Sequence, residues 1–232
     1  EEKTADKFFT WGWENGLSKY IPAFIFKTAG KKKKNYNKQG GLLLIETSIK
    51  NKFITWDAFS EFDKYFKDQK EFVSKLDITP RKKLTIKLDL AFRYKLFSED
   101  SKWLDFDPTL KIETGEVAIN HLIADTRLVV HSYDSTGLLE TLSQNVPTLA
   151  FWQNDFDHLR ENVKPHYQML VDVGIVHLSA KSVADKVNEI WDDVDGWWQQ
   201  SHVQDAIKKF CDRYAKNCTH PVKTMTSLLI EK

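Results

Sequence analysis

Residues 127–152 constrain the fold more than any other part of the chain, because they predict a strand, a tight turn, a helix and a second strand in direct succession. Residues 128–130 and 147–152 are apolar runs typical of strands that are buried on both faces. Residues 135–144 are predicted to form the helix between them. Two such strands joined by a helix favour parallel pairing, and parallel pairing places this stretch in an α/β protein.

The same alternation continues on both sides of this stretch. It predicts further strands at 41–47, 83–89, 110–113 and 174–179, and helices at 56–76, 116–125, 156–173, 182–194 and 197–214, with 222–230 as a terminal helix or an extended arm. Pro80 should break the chain, Pro165 should start, kink or split its helix, and Ser182 should cap the next one. We therefore predict an α/β fold, a Rossmann-like three-layer α/β/α domain with a mostly parallel sheet, over residues 41–232.

Residues 1–40 do not follow this pattern and are rich in aromatic side chains and lysine. We expect them to be a linker, the remnant of a preceding domain, or an arm that lies across the α/β domain. The chain begins with Glu1 and not with methionine, which favours a fragment of a longer protein.

Composition excludes several classes of protein. The 232 residues are 41% hydrophobic, enough for a substantial core, and the formal net charge of +1 gives no support to a general nucleic-acid binder. The lysine run at residues 31–34 is interpreted as a solvated loop, with a phosphate-contacting or membrane-surface role as the alternative.

The two cysteines, Cys211 and Cys218, are predicted to share one face of a helix about 10 Å apart, which is too far for a disulfide. With no signal peptide and no apolar run long enough to span a bilayer, we expect a cytoplasmic protein, or one peripheral to the inner face of the membrane. No zinc-type spacing occurs, and we predict neither a metal nor a cofactor. The nucleotide-fingerprint, Walker, H-E-x-x-H and G-x-S-x-G motifs are also absent, which disfavours dehydrogenases, P-loop NTPases, metalloproteases and α/β-hydrolases.

The turn before the helix at 135–144 is the best candidate for a ligand site. Ser135, Thr136 and Gly137 stand where unpaired backbone N–H groups and hydroxyls can bind a phosphate, although Asp134 or Ser135 could equally serve as a simple helix cap. Asp134 would repel a phosphate and is expected to cap the helix or to face away. Glu140, one helical turn further on, can accept hydrogen bonds from a ribose diol, or it can act as a helix-dipole carboxylate.

Two residues at predicted strand ends are candidate catalytic groups. His131 ends the strand that leads into the turn, where an imidazole could hold a phosphate or move a proton, and Glu46 ends the first strand at the same sheet edge. A structural, hydrogen-bonded role is the alternative for both.

Further candidate substrate contacts follow the next strand. Trp152 could stack on a sugar, while Gln153 and Asp155 could bind its hydroxyls, and Arg93 could contact a phosphate. The alternatives are an ordinary polar loop and a surface charge. Three tryptophans are expected to lie in the core: Trp191, Trp197 and Trp198.

Residues 131–147, His-Ser-Tyr-Asp-Ser-Thr-Gly-Leu-Leu-Glu-Thr-Leu-Ser-Gln-Asn-Val-Pro, resemble the donor-binding half of two-domain (GT-B type) bacterial glycosyltransferases. With the Thr10-Trp-Gly-Trp13 segment, the chain is most similar to a poorly characterised bacterial family of surface-polysaccharide transferases. The resemblance implies that Ser135 and Thr136 hold the donor phosphate, that Glu140 holds the ribose, and that His131 lies near the leaving phosphate.

On this basis the sequence predicts the donor domain of a glycosyltransferase in bacterial cell-surface polysaccharide biosynthesis. Its partners would be a sugar nucleotide, a glycan or lipid-linked acceptor and a preceding N-terminal domain, with no nucleic acid. Two alternatives stay open: a sugar-nucleotide epimerase of the same fold, and a non-catalytic binding domain, which would be favoured if residues 1–40 filled the cleft.

Overall fold

The computed structural model describes residues 4–31, 36–47, 58–89, 99–152 and 155–230. A six-stranded sheet forms the centre of the domain, in the order β5-β4-β3-β6-β7-β8. Its strands are β3 (Gly41–Ile45), β4 (Leu84–Lys87), β5 (Lys111–Glu113), β6 (Thr126–His131), β7 (Thr148–Phe151) and β8 (Val176–His177).

Every pairing in this sheet is parallel, which confirms the predicted fold class. If these six strands are numbered 1 to 6 in chain order, so that β3 is the first, their order in the sheet is 3-2-1-4-5-6, which is the doubly wound order. The direction of strand addition therefore reverses between β3 and β6. Ile45 and His131 are paired at the carboxyl ends of these two strands. Ligands of open α/β sheets bind beyond this point, and the predicted turn begins there.

Ten helices are found in the described residues. They are α1 (Ala58–Lys75), α2 (Ile78–Lys82), α3 (Glu99–Phe106), α4 (Ile119–Ala124), α5 (Thr136–Ser143), α6 (Lys164–Asp172), α7 (Ala180–Ile190), α8 (Val194–Trp198), α9 (Ser201–Tyr214) and α10 (Pro221–Ile230). None of the helices in the described ranges combines the length and the apolar character needed to cross a bilayer.

The end of α5 explains the Asn-Val-Pro step of the sequence. Asn145 adopts the left-handed conformation, with φ of 56°, and its N–H donates to the Leu142 carbonyl at 2.9 Å. The next N–H, of Val146, reaches back to the Thr141 carbonyl at 3.0 Å, and the two bonds together form a Schellman cap. Pro147 then leads directly into β7. The chain reverses within three residues, which keeps α5 close to the sheet.

Two predicted helix starts are wrong. Residue 156 does not begin a helix: α6 starts at Lys164, with Pro165 in its first turn, where the missing proline N–H costs nothing. The cap of α7 is Ser179 and not Ser182; its hydroxyl accepts the Ser182 N–H at 3.2 Å. At α6 the proline sets the start of the helix, and at α7 a neighbouring serine takes the place of the predicted cap.

Three other expectations also need correction. Pro80 does not break the chain but lies in the short helix α2, near a helix start that tolerates proline. The helix predicted at 197–214 is split into α8 and α9. Cys218 lies beyond the end of α9, so it does not share a helix face with Cys211, although both cysteines are free.

The N-terminal residues pack against the C-terminal part of the chain. Strands β1 (Phe8–Thr10) and β2 (Tyr20–Pro22) form a two-stranded parallel ladder. Beyond it, the Ile25 N–H donates to the Lys216 carbonyl at 2.9 Å, and the Lys216 N–H donates to the Trp11 carbonyl at 2.9 Å. Four side chains of residues 20–25 are buried: Tyr20, Ala23, Phe24 and Ile25.

The three tryptophans predicted for the core are buried. Trp198 is 0% exposed, and its indole N–H donates to Asn145 Oδ1 at 3.0 Å, which ties α8 to the end of α5. The guanidinium of Arg127 lies 4.9 Å from the Trp191 ring centroid, a cation–π contact at the start of β6.

Candidate ligand site at the carboxyl edge of the sheet

The turn after β6 directs its carboxylate away from the helix start. Asp134 Oδ1 accepts the Tyr167 hydroxyl at 3.0 Å, and Asp134 Oδ2 lies 3.0 Å from Nε2 of His158. Burial, followed by the neighbouring Asp134, raises the pKa of Tyr167, so Tyr167 stays a hydrogen-bond donor. The one acidic side chain of the turn is therefore held against α6 and away from the N-terminus of α5, as expected.

Ser135 is the N-cap residue of α5, but its side chain makes no capping hydrogen bond. Its Oγ is buried and has no hydrogen-bond partner in the described residues. Ser179 and Asp193 do cap their helices, whereas Asp77, at the start of α2, makes no side-chain cap either. The start of α5 thus has a buried serine hydroxyl that lies near the Tyr133 hydroxyl and lines neither cavity described below, beside backbone N–H groups that have no partner within the helix.

His131 is buried and neutral. It is 1% exposed, and burial lowers its pKa to about 3. Nε2 lies 3.3 Å from Thr141 Oγ1, which is also within hydrogen-bonding distance of the Gly137 and Leu138 carbonyls. When the Thr141 hydroxyl donates to one of these carbonyls, Nε2 carries the ring hydrogen and Nδ1 is an acceptor. Nδ1 has no partner among the described residues. A neutral imidazole in this state accepts a hydrogen bond but does not attract an anion.

A cavity of about 180 Å³ lies between α4, α5 and the N-terminal residues, and we call it the α5 cavity. Thr136, Gly137 and Glu140 of the predicted site line it together with His131. A side chain at Gly137 would come within 3.0 Å of His131 Cε1 and 3.2 Å of Ser135 Oγ, so the glycine keeps space open beside both. The cavity is also lined by Lys27, Lys31, Ile119, Ile123, Tyr133, Gln144 and Val146.

Glu140 forms an ion pair at the mouth of this cavity. Its Oε1 lies 2.7 Å from Nζ of Lys27, whose side chain is 70% exposed. The next residue, Thr28, is 3.1 Å from the Ser143 hydroxyl, so the N-terminal residues run alongside α5. They border the cavity without filling it. Lys27 was not predicted as a site residue, because no local pattern indicates a contact that spans more than a hundred positions. Lys31 belongs to the lysine run for which a phosphate-contacting role was the alternative.

Glu46 is also buried, at 5% exposure, and it lies directly after β3. Oε2 accepts the indole N–H of Trp103 at 3.2 Å, while Oε1 has no partner in the described residues. Burial, with a smaller contribution from the nearby Glu99, raises the pKa of Glu46 to about 8, although the Trp103 hydrogen bond acts in the opposite direction. In the part of the chain that the structure describes, Glu46 lines neither cavity at this edge.

A second cavity, of about 500 Å³, lies on the other side of the turn, and we call it the α1 cavity. Its lining is polar and aromatic, and comprises Tyr65, Asp68, Gln69, Ser132, Tyr133, Asp134, Phe151, Trp152, Asp157 and His158. Tyr65 bridges two strand ends, because its hydroxyl is 2.7 Å from Ser132 Oγ and accepts the Thr47 N–H at 3.0 Å.

Trp152 forms a wall of the α1 cavity but is only 7% exposed. Its indole N–H donates to the Asp155 carbonyl at 2.9 Å, and its ring meets Tyr167 edge to face at 5.8 Å. Asp155 is exposed, with φ of 52°. The two other predicted contacts, Arg93 and Gln153, lie outside the described residues.

Tyr133 borders both cavities and stands between them. Burial raises the pKa of its hydroxyl, although the Ser135 and Thr47 side chains nearby lower it. The turn at residues 132–135 therefore separates a smaller cavity on its α5 side from a larger one on its α1 side. The sequence motif pointed to the turn but not to the two cavities.

The fold is that of a Rossmann-like α/β protein with two cavities at its topological switch point. The sequence model of a protein family, the LIC12162 family transferase, matches residues 1–229 of this chain. The chain belongs to this transferase family, which confirms the resemblance seen in the sequence.

Two solved structures illustrate the similarity. The wall teichoic acid polymerase TagF is 15% identical, with a TM-score of 0.42, over 87% of this chain and 42% of its own. WaaG, a glycosyltransferase involved in lipopolysaccharide biosynthesis, is 13% identical, with a TM-score of 0.40, over 84% of this chain and 48% of its own. The chain therefore spans less than half the length of either protein. No curated protein sequence gives a significant match.

Proposed function

We propose that this chain binds a sugar nucleotide and forms the donor-binding half of a glycosyltransferase in bacterial cell-surface polysaccharide biosynthesis. The observation that carries the proposal is the start of α5: an uncapped serine at the switch point, with a cavity on each side of the turn. Membership of a transferase family supports group transfer as the reaction.

The donor phosphates would bind at the N-terminus of α5. Unpaired backbone N–H groups there favour an anion, and the hydroxyls of Ser135 and Thr136 add two donors. Because Asp134 is held by Tyr167 and His158, it does not oppose the bound charge. Negative charge grows on the phosphate as the glycosidic bond breaks, and fixed donors stabilise it without having to reorganise.

The two cavities suit the two ends of such a donor. Glu140 lies in the α5 cavity one turn beyond the phosphate position, where its carboxylate can accept hydrogen bonds from a ribose diol. The α1 cavity carries three carboxylates, from Asp68, Asp134 and Asp157, beside the Trp152 wall. Carboxylates accept hydrogen bonds from sugar hydroxyls and repel phosphate, so we assign the glycosyl group to the α1 cavity.

His131 takes a different role in this proposal from the one that its position first suggested. As a neutral acceptor with a pKa of about 3, it is a weak base near pH 7, and it carries no charge with which to hold a phosphate. We infer that it orients the start of α5 through Thr141. Glu46, protonated near neutral pH, remains the candidate acid at this sheet edge.

Titration calorimetry with UDP, GDP, CDP, TDP and CMP tests the proposal. We expect at least one nucleotide to bind, and the Ser135→Ala/Thr136→Ala variant to bind it at least about tenfold more weakly, since two hydrogen bonds to a charged group are lost. Ser179→Ala, which removes the hydroxyl cap of α7, is the matched control and should leave the affinity unchanged.

Two outcomes would contradict the proposal: no binding of any nucleotide, or full affinity in the double variant. Isomerisation of a sugar nucleotide in the absence of an acceptor would instead favour the epimerase.

A further inference from the structure

Gln144 has a buried amide without hydrogen bonds. It ends α5 as the C-cap residue, is 2% exposed and lines the α5 cavity. Neither Oε1 nor Nε2 has a partner in the described residues. Leaving such groups unpaired costs about 1–3 kcal/mol each, so native folds seldom keep them without a reason.

The position of Gln144 along α5 indicates what the amide can meet. Thr136, Glu140 and Gln144 succeed one another at intervals of four residues, which places them on one face of the helix about 6 Å apart. The proposed order of ligand groups along that face is phosphate, then ribose, then whatever lies beyond the ribose. In a nucleotide that next group is the base.

The walls around Gln144 suit a flat, uncharged ring. Ile119 and Ile123 of α4 and the buried Val146 supply apolar surface to the cavity. The acidic Glu140 disfavours a second anion, and the two lysines of the cavity extend towards solvent. A heterocycle has apolar faces and a polar edge, so it matches both the walls and the amide.

We propose that Gln144 selects the base of the sugar nucleotide. Its amide offers one acceptor and one pair of donors side by side, which can form two hydrogen bonds with the adjacent donor and acceptor on the edge of a nucleobase. A site with buried polar groups discriminates strongly, because the wrong base leaves them unpaired. This inference rests on the proposed function and adds the residue that determines specificity.

The test measures affinities of the chain for UMP, CMP, AMP, GMP and ribose 5-phosphate, which lacks a base, by titration calorimetry. We expect the wild type to prefer one base at least tenfold, and Gln144→Leu to bring all four within about threefold, since the loss of two neutral hydrogen bonds corresponds to roughly tenfold or more. The affinity for ribose 5-phosphate should not change. Leucine has a similar size and no unpaired atoms, so the variant should fold, which thermal unfolding verifies.

Gln69→Leu is the matched control. Gln69 also has a buried, unpartnered Oε1, but it lines the α1 cavity. Its replacement should leave the order of base affinities unchanged.

The failures of the two proposals can be told apart. If nucleotides bind but the wild type has no base preference, or if Gln144→Leu keeps that preference, the assignment of Gln144 is overturned while the donor site stands. An equal effect of Gln69→Leu on the base preference would overturn it as well. If neither ribose 5-phosphate nor any nucleotide binds, the proposed function fails together with this inference.

Discussion

The two cavities beside the turn at residues 132–135 differ in size, in charge and in how their polar groups are paired. The α5 cavity is the smaller, at about 180 Å³, and both His131 and Gln144 in its lining have buried polar atoms without partners in the described residues. The α1 cavity is larger, at about 500 Å³, and its Asp134 and Ser132 are already hydrogen-bonded within the protein. Among its described lining residues, one buried side-chain atom has no partner, Oε1 of Gln69, against three such atoms in the α5 cavity.

This difference separates two ways of meeting a ligand. Unpaired groups in a small cavity favour the binding of a ligand that pairs with all of them. Any other ligand binds more weakly, since each group left without a partner costs free energy. Carboxylates on an open surface can bind hydroxyls in several arrangements, with water in between. We therefore expect the α5 cavity to be selective and the α1 cavity to be permissive.

The largest change in the free energy of unfolding is expected for a substitution in the wall of the α1 cavity. Trp152→Ala should lower the free energy of unfolding by about 3–5 kcal/mol, because a nearly buried indole with a hydrogen bond to Asp155 is lost. Urea unfolding measures this loss. Trp198→Ala, whose indole lines neither cavity, should destabilise the fold to a similar degree. A stable Trp152→Ala protein with altered sugar-nucleotide affinity would instead show that the indole serves the ligand and not the fold.

The fold was predictable because its signals are local. Apolar runs such as residues 128–130 mark buried strands, and six parallel strands follow from their alternation with helices. The start of α5 was likewise visible in Ser135, Thr136 and Gly137. Errors arose where two neighbouring residues could do the same task, as with Ser179 and Ser182 at the start of α7.

The rest of the site depends on distant contacts. Lys27 meets Glu140 across more than a hundred residues, and no local pattern encodes that contact. The neutrality of His131 follows from its burial under α5, which a strand-end position does not reveal. Gln144 was the exception: it lies four residues after Glu140, and helical spacing alone could have placed it on the same face.

The next effect concerns the charge state inside the α5 cavity. His131 has a folded pKa of about 3, below its ordinary value of 6.5, so below pH 6.5 the unfolded chain takes up a proton that the folded chain does not. Stability is therefore fully present above pH 6.5 and falls as the pH drops, by up to about 1.4 kcal/mol per pH unit, or about 2 kcal/mol between pH 6.5 and 5.

His131→Gln should remove this loss while keeping a donor for Thr141. Urea unfolding at pH 7.5 and 5.0 compares the two proteins, and His177, whose pKa burial also lowers, to about 4, is present in both and cancels in the difference. If the wild type and the variant lose the same stability on acidification, His131 is not held neutral by burial.

A smaller effect distinguishes two serines at helix starts. Ser179→Ala should cost about 1 kcal/mol of unfolding free energy, since its hydroxyl caps α7. Ser135→Ala should cost less, because its hydroxyl makes no capping hydrogen bond. Thermal unfolding of the two variants provides the comparison. Equal losses would mean that Ser135 is an ordinary cap and would weaken its assignment to the phosphate.

The smallest effect is expected at the mouth of the α5 cavity. Lys27 is 70% exposed, so its ion pair with Glu140 is screened by solvent, and Lys27→Ala should change the unfolding free energy by less than about 0.5 kcal/mol. Because the lysine contacts Oε1, the other carboxylate oxygen remains available to a ribose, and nucleotide affinity should change less than about threefold. Calorimetry in low and high salt measures the nucleotide affinity and how far salt weakens it. Lys27→Arg, which preserves the charge, is the control. A tenfold loss in Lys27→Ala, rescued by arginine, would show that the N-terminal residues supply a phosphate contact. In that case the selective cavity would depend on charge as well as on unpaired polar groups.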